Sequence, residues 1–354
     1  MVGLTLDELG GWPGVIGRLM RGESLGAAAA AAALGDILEG NATSAQIAAF
    51  AVGLRMKGET VEEMVGLVRA MLEHAEPVHA GDGLVDTCGT GGDRSHTINV
   101  STIAAFVVAG AGAKVCKHGN RAASSASGSA DVLEALGVVI DLGPRGVARC
   151  VAEAGMGFCF APRYHAASRH AVPTRRELGV PTVFNFLGPL ANPARPTRQV
   201  IGVSDPAMAE KMVGVLSDSG VQRAMVVHGH DGLDELTTTT TSTVWDLTGG
   251  EHPALRSYVV DPAELGLPSS GLEQLRGAGA EANAELARAV LRGGRGPHRD
   301  IVLLNAAAGL VVAGCARDLG EGLAEAAAVV DRGSALRVLE KLVEVSGAAA
   351  EAGY

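Results

Sequence analysis

The sequence lacks the cysteine pairings and the excess of basic residues that mark several classes of protein. Its five cysteines are odd in number and widely spaced, with no Cys-x-x-Cys pair and no Cys/His spacing typical of a metal site. They are therefore expected to be reduced, buried thiols of a cytoplasmic protein. Acidic residues outnumber basic ones, 39 to 29, and the net charge of −10 argues against a nucleic-acid partner.

Targeting segments, membrane spans and nucleophile motifs are also missing. The first residues include Asp7 and Glu8 and show no basic segment followed by an apolar run, so no secretory signal is expected. Residues 95–113 carry no Asp, Glu, Lys or Arg. Their hydroxyl and amide side chains nevertheless predict a buried helix rather than a membrane span. No Ser-His-Asp or Cys-His arrangement is recognisable, so a reaction at this chain would need bound groups rather than a nucleophilic side chain.

What is present favours a large α/β fold. With 354 residues, 47% of them apolar, the chain can bury a sizeable core and is long enough for about two domains. Residues 1–78 read as helices, with capping signals at Thr43 or Ser44 and at Thr60. Beyond them, short apolar runs alternate with helical stretches, which predicts a mainly parallel central sheet flanked by helices.

The expected strands are seven short apolar runs. They lie at residues 84–85, 114–116, 138–140, 157–160, 199–203, 224–228 and 301–304. The threonine-rich stretch 237–243 suits a sheet edge or a loop. Residues 277–296 read as loop-prone at both ends.

A glycine-rich stretch at residues 85–93, Val-Asp-Thr-Cys-Gly-Thr-Gly-Gly-Asp, predicts a phosphate-binding loop. Gly89, Gly91 and Gly92 permit positive φ and close approach, so successive N–H groups can converge on an anion. Hydroxyl side chains follow at the start of a predicted helix, whose positive dipole end favours a phosphate. The alternative is a glycine-rich turn that only closes a strand.

Two more polar turns follow predicted strands and are expected at the same edge of the sheet. Lys-His-Gly-Asn-Arg at residues 117–121 offers two cations and an amide, which predicts a second anion site. Asp-Gly-Leu-Asp-Glu-Leu at residues 231–236 places Asp234 and Glu235 where open α/β sheets bind ligands, a pattern suited to Mg²⁺. The first could instead be a basic turn capped by a serine-rich helix start, and the second a solvated acidic turn. Arg175, in a proline-rich segment, could bind a carboxylate or make a surface ion pair.

The order and spacing of these motifs resemble the anthranilate phosphoribosyltransferases along nearly the whole chain. The resemblance includes the loop, the Lys-His-Gly-Asn-Arg turn with the following segment 127–137, the acidic turn, and Phe-Asn-Phe-Leu-Gly-Pro-Leu-Ala-Asn-Pro at residues 184–193. It implies transfer of the phosphoribosyl group of phosphoribosyl pyrophosphate (PRPP) to the amine of anthranilate, in tryptophan biosynthesis, with Mg²⁺ as cofactor.

The resemblance also implies roles for individual residues. Mg²⁺ would be bound by Ser101, Asp234 and Glu235. Anthranilate would be bound by Gly89, Asn120, His165 and Arg175. PRPP would be bound by Gly89, Gly92, Asp93, Thr97, Asn99, Val100, Ser101, Thr102, Lys117, His118, Gly119, Asn120, Arg121, Ala122, Ala123, Ser124, Ser125 and Ser129. No side chain is expected to act as a nucleophile, and Lys117 would assist the leaving group electrostatically.

The family pattern further implies a small all-helical domain and a larger α/β domain. The first would comprise residues 1–78 with part of 172–200 returning to it, and the second residues 79–171 and 201–354. A homodimer would form through the helical domains, with no nucleic-acid or membrane partner.

Four positions depart from the family pattern: Arg94, Ala126, Ser168 and Pro181. Two other functions compete with the one that the resemblance implies. A pyrimidine nucleoside phosphorylase would carry a different glycine-rich loop and leave the acidic pair without a clear use. A non-catalytic nucleic-acid-binding relative would need a basic surface, which the net charge of −10 opposes.

Overall fold

A seven-stranded sheet forms the centre of the fold in residues 4–122, 127–250 and 253–354, the parts that this computed structural model describes. The strands are β1 (Val85–Gly89), β2 (Val115–Gly119), β3 (Met156–Phe160), β4 (Arg198–Gly202), β5 (Arg223–Gly229), β6 (Ser242–Thr248) and β7 (Ala254–Val260). Their order is β3-β2-β1-β4-β5-β6-β7, with β1 to β5 parallel and β6 and β7 antiparallel. The direction of winding reverses at β1, so a ligand is expected beyond its carboxyl end.

Helices cover both faces of this sheet, which confirms the predicted fold class. Within the described ranges the α-helices are α1 (Gly11–Met20), α2 (Gly26–Leu38), α3 (Ser44–Lys57), α4 (Val61–Glu73), α5 (Val100–Gly110), α6 (Ser129–Ala135), α7 (Pro144–Ala154), α8 (Ala161–Tyr164), α9 (Val172–Leu178), α10 (Phe184–Leu187), α11 (Ala209–Asp218), α12 (Ala280–Leu291), α13 (Pro297–Ala313), α14 (Leu319–Asp331) and α15 (Ser334–Glu351). No helix in these ranges is long and apolar enough to cross a membrane.

The N-terminal helices begin where the sequence predicts. Thr43 accepts the N–H of Gln46 at 3.3 Å, and the Gln46 side chain accepts the Thr43 N–H at 2.8 Å. Thr60 and Glu63 form the same reciprocal pair at the start of α4. Each capping box satisfies two backbone donors that the first helical turn leaves without partners.

The sheet separates two hydrophobic cores. Along β5, Met225 and Val227 face the core formed with α5, α13 and α15, whereas Ala224 and Val226 face the core formed with α11 and the N-terminal helices. This alternation is the two-residue period of a strand buried on both faces. The central connection joins the second core through α9, which contacts α3, and through buried Phe186.

Several local predictions were wrong. Residues 138–140 are irregular, and 301–304 lie within α13. Nearly every side chain of α13 is buried, so the segment has no polar stripe to reveal a helical period. The antiparallel strands β6 and β7 were not predicted as a pair. Four cysteines are buried as expected, but Cys315 is exposed.

Candidate active site

The glycine-rich loop connects β1 to α5 at the switch point of the sheet. Gly91 and Gly92 have φ of 66° and 83°, the left-handed values that glycine adopts without strain. The N–H of Gly91 donates to Asp234 Oδ2 at 2.7 Å, and the N–H of Thr90 donates to the Gly202 carbonyl at 3.0 Å. The loop is therefore tied to the acidic turn that follows β5.

An acidic cluster lies beside this loop. Burial, and then the neighbouring Asp93 carboxylate, raise the pKa of Asp234 to about 7. Burial, and then the Asp234 charge, raise the pKa of Glu235 well above its ordinary value. Glu235 Oε1 accepts the Ser101 N–H at 3.3 Å, so this pair also meets the start of α5. The cluster is short of positive charge.

These oxygens fit a magnesium ion shared with a substrate. Among the described residues, no three His, Cys, Asp or Glu side chains are grouped to hold a metal unaided. The available donors are instead two carboxylates, Asp234 and Glu235, and the nearby Ser101 hydroxyl. Mg²⁺ commonly takes one or two carboxylates and completes its shell with water and phosphate oxygens.

Lys117 passes beneath the loop rather than into solvent. Its side chain is 2% exposed. Its Nζ donates to the Thr87 carbonyl and lies 3.4 Å from Ser101 Oγ. It also lowers the otherwise raised pKa of Glu235. The lysine therefore brings its positive charge to the acidic side of the cavity.

The second turn is held by two buried residues to which the sequence analysis gave no role. Asp86 Oδ1 accepts the His118 N–H at 3.2 Å, and its Oδ2 accepts the Asn192 amide at 2.9 Å. The same amide donates to the Cys116 carbonyl at 2.8 Å. Asp86 and Asn192 thus fix the backbone of the Lys-His-Gly-Asn-Arg turn.

Arg121 is already paired at the other end of that turn. Its guanidinium donates to Asp131 at 2.9 Å and also to Glu134, and it lies 5.4 Å from the centre of the Phe160 ring. Its positive charge is compensated within the protein, and the N–H groups of Arg121 and Ala122 are engaged as well, by Asn120 Oδ1 at 2.7 Å and Asp131 Oδ2 at 3.0 Å.

The structure gathers the predicted PRPP residues around one cavity of about 340 Å³. Its lining includes every predicted member that the structure describes: Gly89, Gly92, Asp93, Thr97, Asn99, Val100, Ser101, Thr102, Lys117, His118, Gly119, Asn120, Arg121, Ala122 and Ser129. Asp234 and Glu235 also line it. Ala123, Ser124 and Ser125, with the departure at Ala126, lie outside the described residues.

A second cavity, of about 400 Å³, adjoins the first and shares Gly89 and Asn120 with it. His165 and Arg175 also line the second cavity, so the four predicted anthranilate residues meet there. The Arg175 guanidinium lies 5.4 Å from the centre of the Phe184 ring and has no acidic partner within the described chain. Burial lowers the pKa of Arg175. An incoming anion would supply the missing charge.

Two buried histidines stand where the cavities meet. The rings of His118 and His165 are 5.1 Å apart, and their Nδ1 and Nε2 atoms respectively contact the carbonyls of Gly188 at 3.1 Å and Ala191 at 2.8 Å. His118 Nε2 is buried and has no hydrogen-bond partner in the part of the chain that the structure describes. Burial, and then the His165 charge, lower the pKa of His118 to about 3, so this imidazole is neutral at pH 7.

A strap formed by residues 275–277, from a distant part of the chain, pairs with residues 96–98 beside the loop, and only loop-prone glycines indicated it in the sequence. Ile98 N–H donates to the Leu275 carbonyl at 3.1 Å, and Gly277 N–H donates to the His96 carbonyl at 2.8 Å. Asn283 donates to Asn99 Oδ1 at 2.9 Å.

Close backbone approach explains one glycine outside the motifs. A Cβ on Gly202 would lie 1.5 Å from the Asp234 carbonyl oxygen, so only glycine lets the acidic turn sit against β4. Arg94 is a non-glycine residue with φ of 56°, a conformation that glycine adopts with less strain, and it lines the first cavity.

Comparison with known proteins shows the family to which this chain belongs. Residues 81–336 match the glycosyl transferase family a/b domain, and residues 13–75 match the helical bundle domain of the same family. The anthranilate phosphoribosyltransferase of Salinispora arenicola is 52% identical over 95% of this chain and 97% of its own length. That of Thermomicrobium roseum is 51% identical over 96% and 98%. The chain belongs to the anthranilate phosphoribosyltransferase family.

Solved structures agree with this assignment. The anthranilate phosphoribosyltransferase of Thermus thermophilus has a TM-score of 0.88 and 41% identity, with 94% of this chain and 99% of that chain covered. The Saccharomyces cerevisiae enzyme, solved in complex with PRPP and Mg, has a TM-score of 0.87 and 27% identity, with 95% and 98% covered. The resemblance seen in the sequence is confirmed.

Proposed function

We propose that this chain transfers the phosphoribosyl group of PRPP to the amine of anthranilate, giving N-(5-phosphoribosyl)anthranilate and pyrophosphate, in tryptophan biosynthesis. The observation that carries the proposal is a pair of adjoining cavities with opposite charge imbalances. The first contains the acidic cluster around Asp234, and the second contains the unpaired guanidinium of Arg175. A diphosphate with a cation completes the first cavity, and an aromatic carboxylate completes the second.

PRPP is held mainly by backbone donors in this scheme. The N–H groups of Gly92 and Asp93 would face the diphosphate, while those of Thr90 and Gly91 hold the loop in place, and the start of α5 adds its dipole. Lys117 stabilises the negative charge that develops as pyrophosphate leaves. Ser101, Asp234 and Glu235 would hold Mg²⁺, which supplies positive charge against the diphosphate when bound.

Anthranilate is held by its carboxylate at Arg175 and by the apolar wall of the second cavity. Gly89 and Asn120 lie at the border of the two cavities, where the amine meets the anomeric carbon. The amine is neutral at pH 7 and attacks the anomeric carbon without first losing a proton, while the bond from that carbon to the pyrophosphate oxygen breaks. Once the C–N bond has formed, the nitrogen loses its extra proton to the departing pyrophosphate or to water. Catalysis therefore consists of positioning and electrostatic stabilisation of an oxocarbenium-like transition state, with no general base required.

One assay tests this function directly. Anthranilate is fluorescent, and its consumption is followed with PRPP and Mg²⁺ present. The proposal expects fluorescence loss that needs both additions, and it fails if anthranilate persists in a folded enzyme. Parallel incubation with a pyrimidine nucleoside and phosphate tests the phosphorylase alternative, and a nucleic-acid binding assay tests the non-catalytic one.

The domain division and the dimer are part of the same proposal. Residues 1–78, with part of 172–200, would act as the helical domain, and residues 79–171 with 201–354 as the PRPP-binding domain, in a cytoplasmic enzyme. Large apolar side chains are exposed on or next to three neighbouring helices, α1, α3 and α9. They are Met20, Met56, Val172 and Val180. A homodimer formed through the helical domains would cover them.

Sedimentation tests the dimer. Met20→Glu with Met56→Glu places two charges in the proposed interface, and the expected result is a monomer. Glu substitutions at exposed Leu255 and Val259, on strand β7, are the matched control and leave the dimer intact. A wild-type enzyme that sediments as a monomer would contradict this part of the proposal.

A further inference from the structure

A third cavity, of about 460 Å³, lies at the amino ends of the strands, opposite the active site. Thr197 and Val221, which precede β4 and the start of β5, form part of its wall, and α4 closes the other side. Its position at the amino ends of the strands separates it from the substrate cavities, which lie at the carboxyl ends. Its volume is typical of small-molecule sites.

The lining combines an apolar floor with four charged side chains. The floor includes the buried Val68 and Leu216. The charges are Arg69 and Glu73 on α4, Arg195 in the connection before β4, and Asp218 at the end of α11. None of these four makes an ion pair or a side-chain hydrogen bond within the residues that the structure describes.

Two further observations indicate that the wall is built for a ligand. The Thr197 hydroxyl is buried and has no hydrogen-bond partner among the described residues, which is costly unless a bound group satisfies it. Arg195 has φ of 48°, a backbone conformation that residues other than glycine and asparagine adopt at an energetic cost. Both features belong to one short segment that faces the cavity.

We propose that this cavity binds a small zwitterion with an apolar side chain, the chemistry of an apolar amino acid. The arginines Arg69 and Arg195 would take the carboxylate, and the acids Glu73 and Asp218 would take the ammonium. The apolar floor would receive the side chain. Because the four charges sum to zero, a zwitterion matches the site better than a simple anion or cation does.

Hydrogen bonds connect this cavity to the active site by two routes. Asn192 lines it and donates to Asp86, which holds the N–H of His118. Gln199 also lines it and donates to the carbonyl of Pro189 at 3.1 Å, and Pro189 lines the anthranilate cavity. A ligand in the third cavity is therefore expected to change the affinity for anthranilate, and anthranilate to change the affinity for that ligand by the same factor.

Calorimetric titration with three matched probes tests the site. L-phenylalanine has both charges, 3-phenylpropanoate lacks the ammonium, and 2-phenylethylamine lacks the carboxylate. We expect L-phenylalanine to bind about tenfold or more tightly than either analogue. Equal affinity for all three, or no binding of L-phenylalanine, would overturn the proposal.

Variants locate the binding. Arg69→Gln with Arg195→Gln is expected to weaken L-phenylalanine by at least about fivefold, whereas Arg292→Gln, at an exposed arginine outside the cavity, leaves it unchanged. Unfolding temperatures of the free proteins establish that each variant is folded. Equal affinities for L-phenylalanine in wild type and double variant would place the ligand elsewhere and overturn the assignment.

The connection to the active site has its own readout. Anthranilate affinity is measured with and without saturating L-phenylalanine, in wild type and in the double variant. A change of about fivefold or more in wild type alone is expected. The same change in the double variant would show that L-phenylalanine competes in the anthranilate cavity. No change in wild type would contradict communication between the sites.

Discussion

The two substrate cavities differ in the sign of the charge that they leave unbalanced. The PRPP cavity holds the acids Asp93, Asp234 and Glu235, and burial with mutual repulsion raises the pKa values of the last two. The anthranilate cavity holds two guanidinium groups, that of half-buried Arg175 against an aromatic ring and that of exposed Arg169. The charge of each cavity is thus balanced by its substrate. The cation that accompanies the diphosphate balances the first cavity, and the carboxylate of anthranilate balances the second.

Because the two charges differ in sign, affinity for the two substrates should be separable even though the cavities share a wall. Residues of the shared wall, such as Gly89 and Asn120, contribute backbone and amide groups rather than net charge. Removing the charge from one cavity should therefore leave the other able to bind. Two variants test this separation directly, and changes at the two junction histidines, with smaller expected effects, follow them.

The acidic pair carries the largest effect. Asp234→Asn with Glu235→Gln keeps the shape and the hydrogen bonds to Gly91 and Ser101 but removes both charges. Activity should fall by at least about 10³-fold, because the developing diphosphate charge loses its cation. The unfolding temperature without substrates should rise, because burial opposes the ionisation of both carboxyls in the folded protein and amide side chains carry no such penalty.

The control for this variant removes the same charge from the surface. Glu76→Gln with Asp82→Asn changes two exposed acids and should leave turnover unchanged. Near-normal turnover of the active-site variant at saturating Mg²⁺ would show that the acidic pair does not hold the metal.

Arg175→Gln tests the other cavity. The apparent affinity for anthranilate should fall about tenfold or more, because a charged hydrogen-bonded contact contributes about 1.5–3 kcal/mol. The KM for PRPP should change little. Arg176→Gln, at the exposed neighbouring position, is the matched control. Equal weakening of both substrates would indicate a structural role for Arg175.

The histidines at the junction should matter less. His118→Ala and His165→Ala are expected to lower single-turnover rates by less than about 10²-fold, because neither imidazole acts as a general acid or base in the proposed mechanism. A loss beyond about 10⁴-fold from either change, in a folded enzyme that binds both substrates, would favour base-assisted attack.

His118 should also weaken the protein in mild acid. Its pKa is about 3 in the folded state against 6.5 for the free imidazole, so the unfolded chain binds more protons between these values. Stability from this group is complete above pH 6.5 and falls as the pH approaches 3. At pH 5 the loss is about 2 kcal/mol.

His118→Asn should remove that loss, and His79→Asn, at an exposed histidine, should not. The measurement is the difference in unfolding free energy between about pH 8 and about pH 5. If wild type and His118→Asn show the same difference, the buried imidazole is not neutral in the folded state.

The two cavities also differ in how far the sequence reveals them. The PRPP cavity is built largely from contiguous motifs, since a glycine-rich loop and a helix start place many ligands close together along the chain. Its loop, turn and acidic pair were therefore recognisable in order. Arg175 was not distinguishable from a surface arginine, because its lack of an acidic partner becomes visible only once the chain is folded.

What the sequence did not indicate depends on partners far apart in the chain. Asp86 accepts a hydrogen bond from Asn192, and Gly202 lies against the backbone of Asp234. The strap at 275–277 forms backbone hydrogen bonds with residues 96–98. The error at residues 301–304 has a related cause. A helix buried on all sides shows the same apolar run as a buried strand.

A crossed binding measurement tests the separation of the two cavities most directly. Calorimetry would give the affinities of PRPP with Mg²⁺ and of anthranilate for Asp234→Asn with Glu235→Gln and for Arg175→Gln. The predicted result is that the first variant loses affinity for PRPP with Mg²⁺ and the second loses affinity for anthranilate, each leaving the other substrate within about threefold of wild type. If each variant weakened both substrates equally, the two charge imbalances would not act independently.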